Sequence, residues 1–174
     1  NANLFLTEVG VENPTGKMAI GQISEALFLL LIPVFFTRFG FKKTILIGML
    51  AWAIRYVLFA YGNGDDLSFM LIIGIALHGI CYDFFFVSGQ IYTNSKAGEK
   101  YKSAAQGLIT LATYGVGMLI GFAVAGWITD NYKMADGAVN WQMVWIIPAG
   151  IAIVVFLLFA LLFNDKNKAK EISS

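Results

Sequence analysis

Long apolar runs separated by short polar breaks set the pattern of this chain. Five of them approach the length of a membrane crossing, roughly residues 18–36, 44–61, 68–93, 104–129 and 142–163. A helix needs about 20 apolar residues to span a hydrocarbon core of about 30 Å. At about 1.5 Å of rise per residue, the two longest runs, 68–93 and 104–129, would measure about 39 Å. They must tilt or protrude beyond the hydrocarbon. The breaks between runs hold glycines, asparagines and charges: Arg38 to Lys43, Gly62 to Asp66, Ser95 to Lys102 and Asp130 to Gly137. They read as solvated, turn-forming connections. The small-residue repeat Gly117, Gly121 and Ala125, with Gly115 and Gly126 beside it, predicts close helix packing. Pro33 and Pro148 predict bends, since each removes a helix hydrogen bond.

Composition agrees with the pattern. Hydrophobic residues make up 58% of the 174 positions and charged residues 13%, and mean hydropathy is +0.71. Soluble domains carry about 25% charge, so too little is present here to cover a water-facing surface. Disorder is excluded by an aromatic content of 15%, since disordered chains are poor in aromatics. A net charge of +1 supplies no basic field for nucleic acid. The single cysteine, Cys81, permits neither an internal disulfide nor a cysteine-based zinc site. The expected fold class is an all-α membrane protein. Its first residue is Asn1, and no signal-peptide pattern follows. The chain is expected to be a piece of a longer polypeptide.

Orientation follows from the lysines and arginines. Arg38, Lys42, Lys43, Lys96, Lys100, Lys102, Lys166, Lys168 and Lys170 fall on one side of the five-span pattern, nine of the 12 basic residues. The opposite side holds Lys17 and Lys133 among Glu8, Glu12, Asp65, Asp66, Asp130 and Asp136. The positive-inside rule places the nine in the cytoplasm, with the C-terminus inside and Asn1 outside.

Four ionisable residues lie within the spans: Glu25, Arg55, His78 and Asp83. Such residues are costly in hydrocarbon and mark function or an internal partner. Counted from the outer ends of the runs, they lie about 10, 9, 15 and 23 Å deep, where all could face one water-accessible cavity. For Arg55 a structural ion pair with a buried acid is weighed equally with a functional role. Asp83, flanked by Tyr82 and Phe84 to Phe86, reads as functional, because a carboxyl in low dielectric can exchange a proton for lost solvation. Gln22 and Glu25 are three apart and share a helix face; His78 and Tyr82 are four apart. Asp83 is turned about 100° from Tyr82, toward Gly79, Phe86 and Gln90. An amide, a carboxyl, an imidazole and aromatic rings together suit a neutral, flat, hydroxyl-bearing solute. Packing against core or lipid accounts as well for most of the Tyr82 and Phe84 to Phe86 cluster.

The stretch from Pro33 to Lys43, with Arg38, Gly40, Lys42 and Lys43, resembles the Gly-x-x-x-Asp-Arg-x-Gly-Arg-Lys loop of the major facilitator superfamily. Thr37 stands for the Asp and Pro33 for the Gly. Gly21 to Phe28, Ala51 to Gly62, Gly79 to Gly89, Ser103 to Gly107 and Asn140 to Trp145 resemble the nucleoside:proton symporters of that superfamily. The resemblance implies five transmembrane helices forming most of the C-terminal six-helix half of a twelve-helix fold. Residues 1–16 would be the outer end of the preceding helix and its extracytoplasmic loop, 17–164 the bundle, and 165–174 a cytoplasmic tail. It implies substrate-binding positions at Gln22, Glu25, His78 and Tyr82, and proton coupling at Asp83 and Glu25. His78 departs from the aromatic residue common at its position.

The function so implied is import of nucleosides with protons across a bacterial inner membrane by alternating access. It needs no cofactor beyond the proton gradient, and its partners are the nucleoside, the bilayer and a missing N-terminal half. The nearest rival is a porter for a sugar or another polar metabolite. An intramembrane enzyme using His78 and Ser88 is disfavoured, since ten residues on one helix separate them by about 15 Å. A passive membrane anchor would have no use for Gln22, Glu25, His78 and Asp83 in its spans.

Overall fold

The computed structural model describes residues 2–164. Asn1 and residues 165–174, with the tail lysines Lys166, Lys168 and Lys170, lie outside the described residues. Five helices follow in order: α1 (Ala2–Glu8), α2 (Pro14–Tyr61), α3 (Ser68–Lys96), α4 (Glu99–Asn131) and α5 (Trp141–Leu162). Among the described residues, four helices, α2 to α5, are long and apolar enough to cross a membrane. An isolated antiparallel bridge between Lys133 and Val139 ties the turn before α5.

At 48 residues, α2 would reach about 72 Å if straight, more than twice the thickness of the hydrocarbon. It is not straight. Gly40 has φ 75° and ψ 169°, backbone that glycine adopts without the clash a Cβ would bring. This residue divides α2 into 14–39 and 41–61. The solvated loop expected from Arg38 to Lys43 is therefore reduced to one glycine. Packing accounts for the difference: Phe36 and Phe41 bring their rings to 4.4 Å across the break. Thr44 Oγ1 donates to Gly40 O at 3.0 Å. Lys42 Nζ donates at 2.7 Å to Ala160 O in the last turn of α5, where a cation also meets the negative end of the helix dipole. Pro33 lies inside α2, and the non-helical backbone falls at Gly40 instead. At the other end Asn13 caps the helix, its Oδ1 accepting from Gly16 N at 3.1 Å.

The two halves of α2 carry the bundle. Gly79 of α3 sits directly on the backbone of Ser24 and Glu25. Ser24 Oγ donates to Ala76 O at 2.5 Å and closes that contact. Lower down, a Cβ on Gly48 would lie 2.9 Å from Phe84 Cβ, so the second half of α2 meets α3 equally closely. α5 packs on α2, while α4 runs beside α3 and touches α5. At the α1 end a core gathers Phe5, Leu6, Phe59, Leu71, Ile75, Trp141 and Val144. Phe5 stacks within 5.6 Å of Phe59 and 5.2 Å of Trp141. Trp141 Nε1 donates to Glu8 Oε2 at 2.8 Å, fixing α1 to α5. The small-residue stripe expected to pack helices closely does not do so here. A Cβ on Gly121 or Gly126 would meet nothing within 4 Å, so among the described residues that face of α4 is uncovered.

Gly48→Ala should cost about 1–3 kcal/mol through overpacking. Gly40→Ala should cost about 1–2 kcal/mol through its positive φ. Gly150→Ala, which meets open space, should leave stability unchanged or slightly raised. Thermal unfolding in detergent followed by size-exclusion chromatography reads all three.

Candidate functional site

The Gly79 contact decides which side chains meet. With α3 pressed against Ser24, the next residue back, His78, faces the turn of α2 that carries Glu25. His78 Nε2 lies 3.8 Å from Glu25 Oε2, each side chain 35% exposed. On its other edge His78 Nδ1 is 2.7 Å from Nη1 of Arg55. The guanidinium lies 5.2 Å over the ring of Phe59, a fully buried member of the core. Gln22 and Gly21 from α2, Ile75 and His78 from α3, Arg55 and Phe59 from the second half of α2, and Leu6 from α1 line one cavity of ≈ 100 Å³. Thus Gln22, His78 and Arg55 line one cavity, and Glu25 lies next to His78. Among the described residues Arg55 forms no direct ion pair with an acid. The imidazole stands between the guanidinium and the carboxylate, and the expected pair is a three-residue chain.

Asp83 and Tyr82 diverge. Asp83 is 1% exposed, and neither carboxyl oxygen has a hydrogen-bond partner. It does not share the open cleft with Gln22, contrary to the single-cavity expectation. Residues Asp83–Val87 form a π turn, so the regular 100° step used to place Phe86 and Gln90 beside Asp83 fails there. The Asp83 carbonyl accepts from Ser88 N and, at 3.1 Å, from Ser88 Oγ. Ser88 is fully buried and committed to that bond. Phe84 packs edge-on against Phe28 at 5.8 Å and lies 4.6 Å from Phe35.

Tyr82 points toward α4. Its hydroxyl is 2.6 Å from that of Tyr114, and Phe86 lies 5.2 Å from both rings. Tyr114 itself sits in a second π turn, Leu111–Gly117. Thr113 Oγ1 donates back to Ile109 O at 2.7 Å beside it. Gln106 Nε2 further ties α4 to Gln90 O of α3 at 2.7 Å. Sequence reasoning passed over Tyr114. The signal available was a Thr-Tyr pair in the middle of an otherwise apolar run.

A family model described as nucleoside H+ symporter matches residues 1–168. Among curated proteins, the chain is 40% identical over 173 residues to YegT of Escherichia coli (strain K12), covering 95% of this chain and 41% of that protein. It is 33% identical over 165 residues to the nucleoside permease NupG of the same organism, covering 94% and 39%. With the E. coli xanthosine permease it shares 32% identity over 169 residues, covering 97% and 40%. A crystal structure of a mutant of the nucleoside transporter NupG superposes with a TM-score of 0.85 at 31% identity, over 93% of this chain and 43% of that one. A second NupG structure gives 0.80 at 35% identity, over 86% and 37%. The chain thus spans about two fifths of the curated relatives it matches. A match running from the first residue through all four long helices is more than local, and the chain belongs to the nucleoside H+ symporter family.

Proposed function

We propose that the chain is the C-terminal part of a transporter that carries nucleosides with protons across a bacterial inner membrane. The observation that carries this reading is the convergence of Gln22, His78 and Arg55 on one cleft, with Glu25 next to His78. Four polar side chains gathered there would be a costly way to build a passive anchor. At ≈ 100 Å³, the cleft is smaller than the roughly 300–1,000 Å³ of a ligand pocket. The reading accordingly assigns its remaining walls to an N-terminal half absent from this chain, joined to it in a twelve-helix major facilitator fold.

On this reading α2 makes two crossings, turning at Gly40, and α3, α4 and α5 make three more. The turn at Gly40 and the α3–α4 junction carry Arg38, Lys42, Lys43, Lys96, Lys100 and Lys102, so this end faces the cytoplasm, as does the C-terminus. Residues 1–16 belong to the outer end of the preceding helix and its loop, 17–164 to the bundle and 165–174 to the tail. Gln22, Glu25, His78 and Tyr82 contact the nucleoside. Asp83 and Glu25 handle the proton, and no other cofactor is required.

The division of labour between the two acids follows from their surroundings. Glu25 is partly exposed and lies 3.8 Å from the imidazole. Asp83 has no hydrogen-bond partner for either oxygen, a setting in which a buried charge is costly. Loading a proton at Asp83 or Glu25 from the outer side favours substrate binding. Rocking of the two halves then opens the site inward, where water reaches the acids and both cargoes leave. The intramembrane hydrolase reading loses its nucleophile, since Ser88 is buried and bonded to Asp83 O.

Uptake of labelled uridine by cells expressing the full-length parent should collapse with a proton uncoupler. Asp83→Asn should abolish accumulation against a gradient while leaving exchange of internal for external nucleoside measurable. Glu25→Gln should lower both. Uptake indifferent to the uncoupler and to both substitutions would remove proton coupling, and absence of any nucleoside uptake would turn the reading to a sugar-type porter. Tyr82→Phe, Tyr114→Phe and the double variant should each lose about 0.5–1.5 kcal/mol of thermal stability. The double loss should be no larger than either single one, because one hydrogen bond is shared.

A further inference from the structure

Arg55 lies at the centre of the polar chain, and its chemistry fixes more than its position. A guanidinium has donors and no acceptor. The contact of 2.7 Å between Arg55 Nη1 and His78 Nδ1 is therefore a hydrogen bond only if Nδ1 offers a lone pair. The single proton of a neutral imidazole then sits on Nε2. A doubly protonated ring would instead set two N–H groups against each other at that distance. Arg55 is in turn held from behind, its guanidinium 5.2 Å over the ring of buried Phe59, which meets Trp145 edge-on at 5.1 Å. The anchor thus belongs to the part of the bundle where α1, α2, α3 and α5 share one core.

The exposed edge of the ring is correspondingly defined. His78 Nε2 faces Glu25 Oε2 across 3.8 Å, too far for a direct hydrogen bond. Glu25 faces this edge from α2, Arg55 holds the opposite one, Gln22 lines the same cavity as His78, and Tyr82 lies with its ring 5.9 Å from the imidazole. A donor and an acceptor stand side by side, partly exposed, each without its full complement of bonds. Two adjacent polar atoms of a ligand, one accepting and one donating, would complete them.

We propose that Arg55 is a positioning residue: it locks His78 as the Nε2–H tautomer, so that His78 and Glu25 present a fixed donor–acceptor pair to the substrate. The inference rests on the transport reading above and deepens it. The pair selects solutes with an acceptor next to a donor, as in a vicinal diol or the amide edge of a nucleobase. Arg55 acts on the substrate through the ring. Without it the imidazole exchanges between tautomers, and a share of the molecules presents a lone pair to the Glu25 carboxylate where a donor is needed.

Nitrogen magnetic resonance of the full-length parent labelled with 15N-histidine tests this directly, the His78 signals being those absent from His78→Gln. The expected signature is a pyridine-type Nδ1 and a pyrrole-type Nε2 at neutral pH. Arg55→Met should move both toward averaged positions. In uptake assays Arg55→Met should raise the KM for uridine about tenfold, the loss of one directed hydrogen bond, with Vmax per folded transporter within about twofold. Arg55→Lys, which keeps a donor, should recover most of the KM. A wild-type His78 that is Nδ1–H or doubly protonated overturns the inference even if Arg55→Met cannot be purified. So does a tautomer unmoved by Arg55→Met. If the parent takes up no nucleoside, the transport reading falls, while the nitrogen signature still decides whether Arg55 sets the ring.

Discussion

The contact of Gly79 with the backbone of Ser24 and Glu25 governs the rest of the molecule. Hydrocarbon gives no hydrophobic reward for bringing two helices together, so association depends on close fit and on hydrogen bonds between them. Here both occur at one point: a missing side chain lets α3 reach α2, and Ser24 bonds to Ala76 O. Neighbouring residues inherit their positions from it. His78 is set beside Glu25, and one helical turn further along Asp83 is pressed into the interface and buried. An added methyl at Gly79 would separate the helices and dissolve the site along with the packing.

The polar chain that results also resolves an electrostatic problem. Arg55 in hydrocarbon needs compensation, and Glu25 needs it equally. Direct contact would satisfy both and leave neither free for a ligand. The imidazole between them keeps the two apart, and the carboxylate stays partly exposed. Asp83 follows the opposite solution, with burial complete and no partner. Two acids within one helix pair thereby live in different surroundings, a condition for giving them different tasks.

Much of this was legible in the residues. Runs of apolar side chains fall where α2 to α5 lie, because hydrocarbon enforces length and composition together. That Gln22 and Glu25 share a face of α2 was readable from helical spacing, which needs only regular α turns, whereas a place for His78 near them rested on shared depth alone. What was not legible depended on non-local packing. The break at Gly40 looked like a longer loop because its lysines suggested water, whereas Lys42 is engaged by a carbonyl of α5. Arg55 suggested an acid as partner, and periodicity could not say that His78 would arrive first. Gly48 and Gly79, rather than the repeated glycines of α4, make the close approaches; which glycine faces a neighbour is a property of the assembled bundle.

The two π turns, Asp83–Val87 and Leu111–Gly117, carry a consequence for how α3 and α4 can vary. A π turn is an α-helix holding one surplus residue without losing its continuity. Excising that residue would leave an unbroken helix, yet everything beyond it would be re-phased by about 100°. Gln90 would swing away from Gln106, and the face of α4 beyond Tyr114 would turn toward different surroundings. These stretches are therefore forgiving of chain length in their hydrogen bonding and unforgiving of it in rotation. A lineage could gain or lose a residue there and keep a membrane helix, while exchanging the set of side chains that helix shows to its neighbours.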